Sequence, residues 1–163
     1  MKRFTDNVLT GEPQRKWDQR YMEIADLVAT WSKDPITKVG AYAVGEYGQP
    51  LSHGYNGFPR GDEDNTKDYE NRELKRRKIV HAETNLIANA SMNGVSLVNA
   101  TIYLSGLPPC NTCTGIIIQC GFSCVVVKQS NMDYVLGNRD VDSKYFITES
   151  VDELKKHLTF VVI

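Results

Sequence analysis

Two short segments contain side chains that could bind a metal and move protons: His81-Ala82-Glu83, and Pro109-Cys110-Asn111-Thr112-Cys113, which begins 26 residues after Glu83. One neutral imidazole and two thiolates are ligands that zinc prefers in proteins. Three protein ligands leave the fourth tetrahedral position for water, as a catalytic zinc site requires. The residue types therefore predict a catalytic zinc site with His81, Cys110 and Cys113 as ligands.

Glu83 is two residues from His81, and in a helix interior two such side chains diverge by more than a right angle. The pair must therefore lie across the N-terminus of a helix. In that position Glu83 could reach a water molecule at the open zinc position without binding the metal. We expect it to act as the proton shuttle.

Cys110 and Cys113 lie at the predicted start of a helix, where free backbone N–H groups favour thiolate over thiol. Pro109 suits the first helical turn, which has no intrahelical acceptor for the missing N–H. Cys120 is seven residues beyond Cys113, about 10 Å along a helix axis, which is too far to share one zinc ion. We expect Cys120 and Cys124 to be small buried apolar residues.

Each feature alone has a simpler interpretation. An isolated histidine is more typical of a structural role, and a lone C-x-x-C is found in structural zinc sites and in redox pairs. A redox dithiol, however, does not require the His81-x-Glu83 pair. The conjunction of the two segments favours a catalytic zinc site.

The elements that must position these residues alternate between helix and strand, which predicts an α/β sheet. Seven apolar residues spaced by three or four predict one buried helix face: Trp17, Tyr21, Ile24, Ala25, Leu27, Val28 and Trp31. A hairpin of strands at 39–44 and 51–55 follows, and then a polar surface loop through about residue 71. Further helices are predicted at 82–92, 110–120 and 151–157, and further strands at 101–105, 123–128 and 159–163.

The 163 residues and 24% charged composition fit a single globular domain, 1–163, with an arm at 1–16 and a weakly patterned region at 129–163. The net charge of −1 provides no general attraction for a polyanion, so no nucleic-acid partner is expected. No apolar run is long enough to span a bilayer, so no membrane association is expected. The expected location is the cytoplasm, or the host cytoplasm for a viral protein.

The two chemical segments match the zinc deaminase signature H-x-E…P-C-x-x-C. Together with SKDPITKVGA (32–41), GYNGFPRG (54–61) and PPCNTCTGIIIQCG (108–121), they resemble the deoxycytidylate (dCMP) deaminases of the cytidine deaminase-like superfamily over about residues 17–128. The resemblance implies a three-layer α/β/α fold with a central mixed five-stranded sheet, and a homohexamer. It also implies hydrolytic deamination of dCMP to dUMP, the precursor of thymidylate. Glu83 would take a proton from water, protonate N3 of cytosine and assist the departure of ammonia.

The resemblance also implies substrate contacts at Asn56, Lys38, Ala82 and Pro109, although Asn56-Gly57 is equally typical of a turn. Basic residues chemically suited to a phosphate are Lys38, Arg60, Arg76, Arg77 and Lys78. Family members often bind a nucleoside triphosphate with Mg²⁺ near a GYNG segment, with dCTP as activator and dTTP as inhibitor. Gly54, Tyr55, Asn56 and Gly57 are therefore candidate allosteric residues.

Several alternatives remain open at this stage. The substrate could be dCTP, or both dCMP and dCTP, because the sequence does not measure the number of phosphates. Free-nucleoside cytidine deaminases usually have cysteine at the position of His81. A tRNA adenosine deaminase would share both zinc segments, but the GYNGFPRG loop resembles the nucleotide-deaminating branch. From a different class, a non-catalytic zinc-stabilised nucleotide sensor would be expected to lack Glu83. A polynucleotide-editing enzyme would need an aromatic or basic groove.

Overall fold

The computed structural model describes residues 12–138 and 141–163. Seven helices and five strands occur in these ranges, in the order α1 Glu12–Ala29, β1 Gly40–Val44, β2 Pro50–Tyr55, α2 Thr66–Glu70, α3 Arg72–Lys78, α4 Ala82–Met92, β3 Thr101–Leu104, α5 Asn111–Gln119, β4 Cys124–Val127, α6 Gln129–Asn138, α7 Val141–His157 and β5 Thr159–Val162.

The five strands form one sheet in the order β2-β1-β3-β4-β5. β1 is antiparallel to both β2 and β3, whereas β3, β4 and β5 are mutually parallel. The predicted hairpin and the mixed five-stranded sheet are therefore confirmed. β1, β3 and β4 are buried along their whole length, as expected for strands covered on both faces.

Side chains that alternate along the central strands face two separate apolar layers. Ile102 and Val125 pack with Leu86 of α4 and Ile117 of α5 on one face. Tyr103 and its neighbours on the opposite face pack against α1 through Tyr21, Met22 and Ala25. The predicted three-layer α/β/α arrangement is confirmed.

The first helix differs from its prediction in two respects. α1 begins at Glu12, so residues 12–16 of the predicted arm are helical, and the rest of that arm lies outside the described residues. Trp17, Leu27 and Trp31, predicted to be buried, are 44%, 57% and 46% exposed. Trp31 lies beyond the end of α1, and Met22, which was not in the predicted set, is part of the buried face.

The predicted polar loop at 56–71 is only partly irregular, because it contains α2 and leads directly into α3. Each helix has an asparagine N-cap: the side chain of Asn65 accepts a hydrogen bond from the Lys67 N–H, and that of Asn71 accepts one from Leu74. Tyr69 of α2 is 1% exposed and its ring stacks on Phe58 with centroids 4.1 Å apart. This stacking fixes the α2–α3 segment against the body of the domain.

The C-terminal region is more regular than its sequence suggested. α6 was not predicted, and α7 is longer than the helix predicted at 151–157. The terminal strand is confirmed as β5, which pairs with β4 at the edge of the sheet. Within the described ranges, no helix has the length and apolar character needed to cross a membrane.

Candidate active site

One end of the sheet brings together the segments that carry the candidate site. Because β1 is antiparallel to β2 and β3, the start of β1 lies beside the ends of both neighbours: Gly40 is opposite Tyr55, and Ala41 is opposite Leu104. The chain that leaves β3 leads to Cys110. Sheet topology therefore places Asn56 and the start of α5 at the same end of the sheet.

His81 is the N-cap of α4 and has an extended backbone, with φ −70° and ψ 155°, whereas Glu83 lies in the first turn. The predicted placement of the pair across a helix N-terminus is confirmed. α4 approaches β2 closely at Gly54, where an added Cβ would be 2.5 Å from the Ala82 carbonyl oxygen. The side chain of Asn85 also donates a 2.8 Å hydrogen bond to the Tyr55 carbonyl oxygen.

Cys110 is the N-cap of α5, and Cys113 lies in its first turn. The predicted position of both cysteines at a helix start is confirmed. Pro109, however, precedes the N-cap rather than occupying the first helical position. Proline has no backbone N–H, and Pro109 lies in the segment that leads into the helix. Cys110 takes the capping position.

The three predicted ligands converge. The Nδ1 atom of His81 is 3.5 Å from the Cys110 sulfur and 3.4 Å from the Cys113 sulfur, and the three ligand atoms lie within 4.8 Å of one another. Nitrogen and sulfur ligands of a tetrahedral zinc ion are separated by about 3.6 Å for the usual bond lengths. Both the donor types and their spacing fit zinc, which His81, Cys110 and Cys113 would hold.

His81 and the two cysteines alter one another's pKa values, because their side chains lie within hydrogen-bond distance. A hydrogen bond from the Cys113 thiol, together with one from His81, lowers the pKa of Cys110 to about 4. The Cys113 thiol donates in this hydrogen bond, so its pKa is raised, and burial raises it further. The hydrogen bond with Cys110 raises the pKa of His81, against the opposing effect of burial. The cysteine pair therefore holds a proton that a bound metal must displace.

Glu83 is 4% exposed and lies beside the metal-binding residues. Burial raises the pKa of its carboxyl group, while its own backbone N–H and the charge of His81 act in the opposite direction. A raised pKa brings a carboxyl group closer to neutral pH, where it can both accept and release a proton. The position of Glu83 suits a proton shuttle.

A cavity of about 690 Å³ opens over these residues, a volume typical of small-molecule sites. Ala82, Glu83, His81 and Cys110 line one part of it. Apolar side chains form much of the remaining wall, including Ile36, Val39, Ile79 and Leu107. The α2–α3 segment also contributes to the lining, so a region predicted as a surface loop forms one side of the candidate site.

Asn56 lines this cavity, but its side chain is already used within the protein. Its Oδ1 accepts a 2.8 Å hydrogen bond from the Val39 N–H, and its Nδ2 donates to the Thr37 carbonyl oxygen at 2.8 Å and to Asp34 at 3.3 Å. These bonds hold the 34–39 loop against the end of β2. They give Asn56 a scaffolding role, and the predicted contact with substrate stays a prediction.

Asp34 connects this scaffold to α3. Its fully buried carboxylate pairs with Lys75 and accepts hydrogen bonds from the backbone N–H groups of Ile36 and Thr37. Burial opposes ionisation of Asp34, but the hydrogen bonds from Lys75 and the two N–H groups outweigh it, so the pKa of Asp34 is lowered. A buried ion pair thus fixes α3 beside the cavity.

Several predicted substrate contacts lie elsewhere. Lys38 donates a hydrogen bond to the Ser32 carbonyl oxygen, and Arg60 donates to Asn89. Neither residue is part of the cavity wall. Pro109 is buried, and its neighbour Pro108 lines the cavity instead.

Three residues of the candidate allosteric segment also have structural partners. Gly54 faces α4, and the Tyr55 ring meets the edge of Trp31, with centroids 6.2 Å apart. The backbone of Gly57 pairs with Val80. These contacts connect β2 to the residues that follow α1 and to the residue before His81. Gly54, Tyr55 and Gly57 therefore support the candidate zinc site from outside the cavity wall, which Asn56 of the same segment lines.

Three further residues line the cavity and were not predicted from the sequence: Arg72, Lys75 and Asp34. The suggested Arg76 lines it with them. A signal was present: Asn71 is a strong N-cap residue, and positions 72, 75 and 76 fall on one side of a helix that begins there. The side that faces the cavity depends on the tertiary contacts of α2 and Asp34.

Residues 15–129 match a protein family described as "Cytidine and deoxycytidylate deaminase zinc-binding region". A probable deoxycytidylate deaminase from Drosophila melanogaster is 39% identical over 120 residues, which cover 68% of this chain and 58% of that protein. Human deoxycytidylate deaminase is 35% identical over 116 residues, covering 68% and 64%, respectively. An uncharacterised deaminase from Aliivibrio fischeri is 38% identical over 120 residues, covering 74% and 78%.

The chain thus spans less than two thirds of the length of the fly and human proteins. Among solved structures, the dCMP deaminase of cyanophage S-TIM5 in complex with dCMP and dUMP shares this fold, with a TM-score of 0.70 and 23% identity over 94% of this chain and 100% of that one. The family match includes the three zinc-binding residues and Glu83. Its agreement with the geometry of the site shows that the chain belongs to the zinc-dependent cytidine and deoxycytidylate deaminase family.

Proposed function

We propose that this protein deaminates dCMP to dUMP. The observation that carries the proposal is the position of Glu83, which is buried beside three converging zinc-binding residues in a cavity of small-molecule size. The choice of dCMP is supported by relatives named deoxycytidylate deaminase at 35–39% identity. It is also supported by the cyanophage enzyme of the same fold, which was solved with dCMP and dUMP.

The reaction adds water across the N3=C4 bond of cytosine and expels the amino group as ammonia, so a carbonyl oxygen replaces the amino nitrogen at C4. A bound zinc ion would supply Lewis acidity that lowers the pKa of the attacking water. Glu83 takes one proton from that water and delivers it to N3. It then moves the remaining proton from the new C4 hydroxyl to the amino group, so that the C4–N bond breaks, ammonia leaves and the C4 carbonyl forms. His81, Cys110 and Cys113 would hold the metal, and as three ligands they would leave a coordination position for water.

The test is ammonia release by zinc-loaded protein from dCMP, dCTP, CMP and deoxycytidine in parallel. Turnover with a clear preference for dCMP is the expected result. Preference for dCTP, or equal use of both deoxynucleotides, would replace the proposed substrate by the dCTP or dual alternative. If none of the four substrates released ammonia while one zinc ion was bound per chain, the result would contradict the proposal and favour a nucleotide sensor.

Regulation by dCTP and dTTP with Mg²⁺, and assembly as a hexamer, stay predictions from the family resemblance. The same assay repeated with each triphosphate and Mg²⁺ tests regulation. Light scattering of the zinc-loaded protein tests the assembly. A stable monomer or an activity that neither triphosphate alters would contradict the corresponding prediction.

A further inference from the structure

Three basic side chains of α3 line the same cavity as His81 and Glu83: Arg72, Lys75 and Arg76. Their spacing of three and four residues places them on one side of the helix. The other two basic residues of this helix point away, since Arg77 lies near the exposed carboxylate of Glu73, and Lys78 pairs with Asp62 at 2.8 Å. α3 therefore separates its cations into a group that lines the cavity and a group outside it.

Within the first group, the charge of Lys75 is already matched by the buried carboxylate of Asp34. Arg72 and Arg76 make no ion pair or side-chain hydrogen bond with the residues that the structure describes. Glu70 also lines this side of the cavity but pairs with neither arginine. Two guanidinium groups are thus available to a ligand in the cavity.

The positions of these groups give the cavity two chemically different ends. Ala82 and Glu83 are buried, whereas Arg72 and Arg76 are exposed and therefore lie on the solvent side. A phosphate is strongly hydrated and is bound well by the planar fork of an arginine side chain. A pyrimidine base is largely apolar on its faces and fits the part of the cavity that is closed to water.

We propose that Arg72 and Arg76 bind the 5′-phosphate of the substrate and thereby select a nucleotide over a nucleoside. The inference rests on the proposed deamination of a cytosine nucleotide and names the residues that set its specificity. Lys75 does not bind the phosphate, because its ammonium group is held by Asp34. Neither do Lys38, Arg60, Arg77 and Lys78, which the sequence had suggested and whose side chains lie outside the cavity wall.

The experiment compares Arg72→Gln, Arg76→Gln and the double variant with Arg77→Gln, a matched control on the exposed side of the same helix. For each, zinc content, kcat/KM for dCMP and for deoxycytidine, and the affinity for dUMP are measured. Loss of a charge-assisted hydrogen bond lowers affinity by about tenfold or more. We expect kcat/KM for dCMP and the dUMP affinity to fall by at least about tenfold in each single variant and further in the double variant. Deoxycytidine turnover, zinc content and the Arg77→Gln values should stay unchanged.

The outcomes separate this inference from the proposed function. If the wild type deaminates dCMP and the double variant keeps the same ratio of dCMP to deoxycytidine turnover, the arginine assignment is wrong and the deaminase function stands. If no cytosine substrate is turned over but dUMP binding depends on Arg72 and Arg76, the function is wrong and the assignment stands. Absence of both turnover and dUMP binding in the wild type overturns both.

Discussion

His81 and Glu83 are two positions apart and are suited to different tasks because the backbone changes conformation between them. His81 is extended at the N-cap and directs Nδ1 toward the two cysteine sulfurs, while Glu83 is buried in the first helical turn. The same arrangement occurs at α5, where Cys110 is the N-cap and Cys113 follows in the first turn. Two helix starts therefore deliver three ligands and an acid to one point.

Glu83→Gln should retain zinc and lose activity, because an amide keeps the shape of the side chain but cannot accept or release the proton. General acid–base catalysis contributes about 10²–10⁴-fold, so kcat should fall by at least about 100-fold. Steady-state assays combined with metal analysis check this expectation. Glu73→Gln, on the exposed side of α3, is the control and should resemble the wild type. Substantial activity in Glu83→Gln would refute the proposed proton shuttle.

Zinc binding should release protons, with an affinity that rises with pH. Hydrogen bonding lowers the pKa of Cys110 to about 4, whereas Cys113 and His81 have raised pKa values. Zinc must displace the Cys113 proton and, toward lower pH, the His81 proton. The logarithm of the apparent affinity should therefore rise by about one to two per pH unit between about pH 6 and 8.

Competition with a chromophoric chelator at several pH values measures this slope. Cys120→Ala is the control for thiol chemistry elsewhere, because Cys120 lies outside the group of converging ligands, and it should give the same slope. A zinc affinity that is independent of pH across this range would show that the ligands are already deprotonated in the metal-free protein.

At the scale of elements, the contact between α4 and β2 determines where His81 and Glu83 lie. Gly54 permits this contact because it has no Cβ, and Ser52 reinforces it with a 2.8 Å hydrogen bond to the Leu86 carbonyl oxygen. The helix start is fixed by a rigid strand. A small displacement of α4 would separate His81 from both cysteines.

Gly54→Ala should therefore weaken zinc binding as well as destabilise the fold. The added methyl group meets helix backbone that has no freedom to move aside, and overpacking of this kind costs about 1–3 kcal/mol. Gly57→Ala is the matched control, because its Cβ would be 3.8 Å from the Tyr69 hydroxyl oxygen, an ordinary contact distance. Denaturant unfolding and zinc titration of both variants measure the difference. Equal unfolding free energies and equal zinc affinities in the two variants would contradict the proposed role of the α4–β2 contact.

At the scale of the whole molecule, the zinc site joins helices that the sheet already brings together. α4 packs against β2 and β1, and α5 follows β3. A bound metal would therefore connect the start of α4 to the start of α5 at one end of the sheet. Binding to the folded state alone stabilises a protein in proportion to the logarithm of ligand concentration. The free energy of unfolding should therefore increase when zinc binds.

Zinc at about 100 times its Kd should raise the free energy of unfolding by about 2.7 kcal/mol, which corresponds to an increase in Tm of about 5–11 °C for a domain of this size. Thermal unfolding before and after treatment with a chelator, and after zinc is restored, measures this change. Cys113→Ala should have a Tm that does not respond to zinc. An unchanged wild-type Tm, despite one bound zinc per chain, would contradict the expectation.

Local sequence was sufficient for the candidate zinc ligands, the acid and most elements that carry them. Ligand chemistry is a property of residue type, and a helix start is encoded within a few residues, so His81, Glu83, Cys110 and Cys113 could be placed before their contacts were known. The hairpin and the mixed sheet followed from the strand pattern and from the family resemblance. The C-terminal α6 was not predicted because its residues have a weak apolar period.

Tertiary structure alone decided which of many similar side chains face the cavity. Five basic residues are equivalent as charges in the sequence: Lys38, Arg60, Arg72, Arg76 and Arg77. Only the orientation of α3, held by the Asp34–Lys75 pair, places Arg72 and Arg76 at the cavity wall. Likewise, Asn56 could be assigned to scaffolding only when its three hydrogen-bond partners were located. Residue type sets what a side chain can do, whereas contacts between segments distant in sequence decide where it can do it.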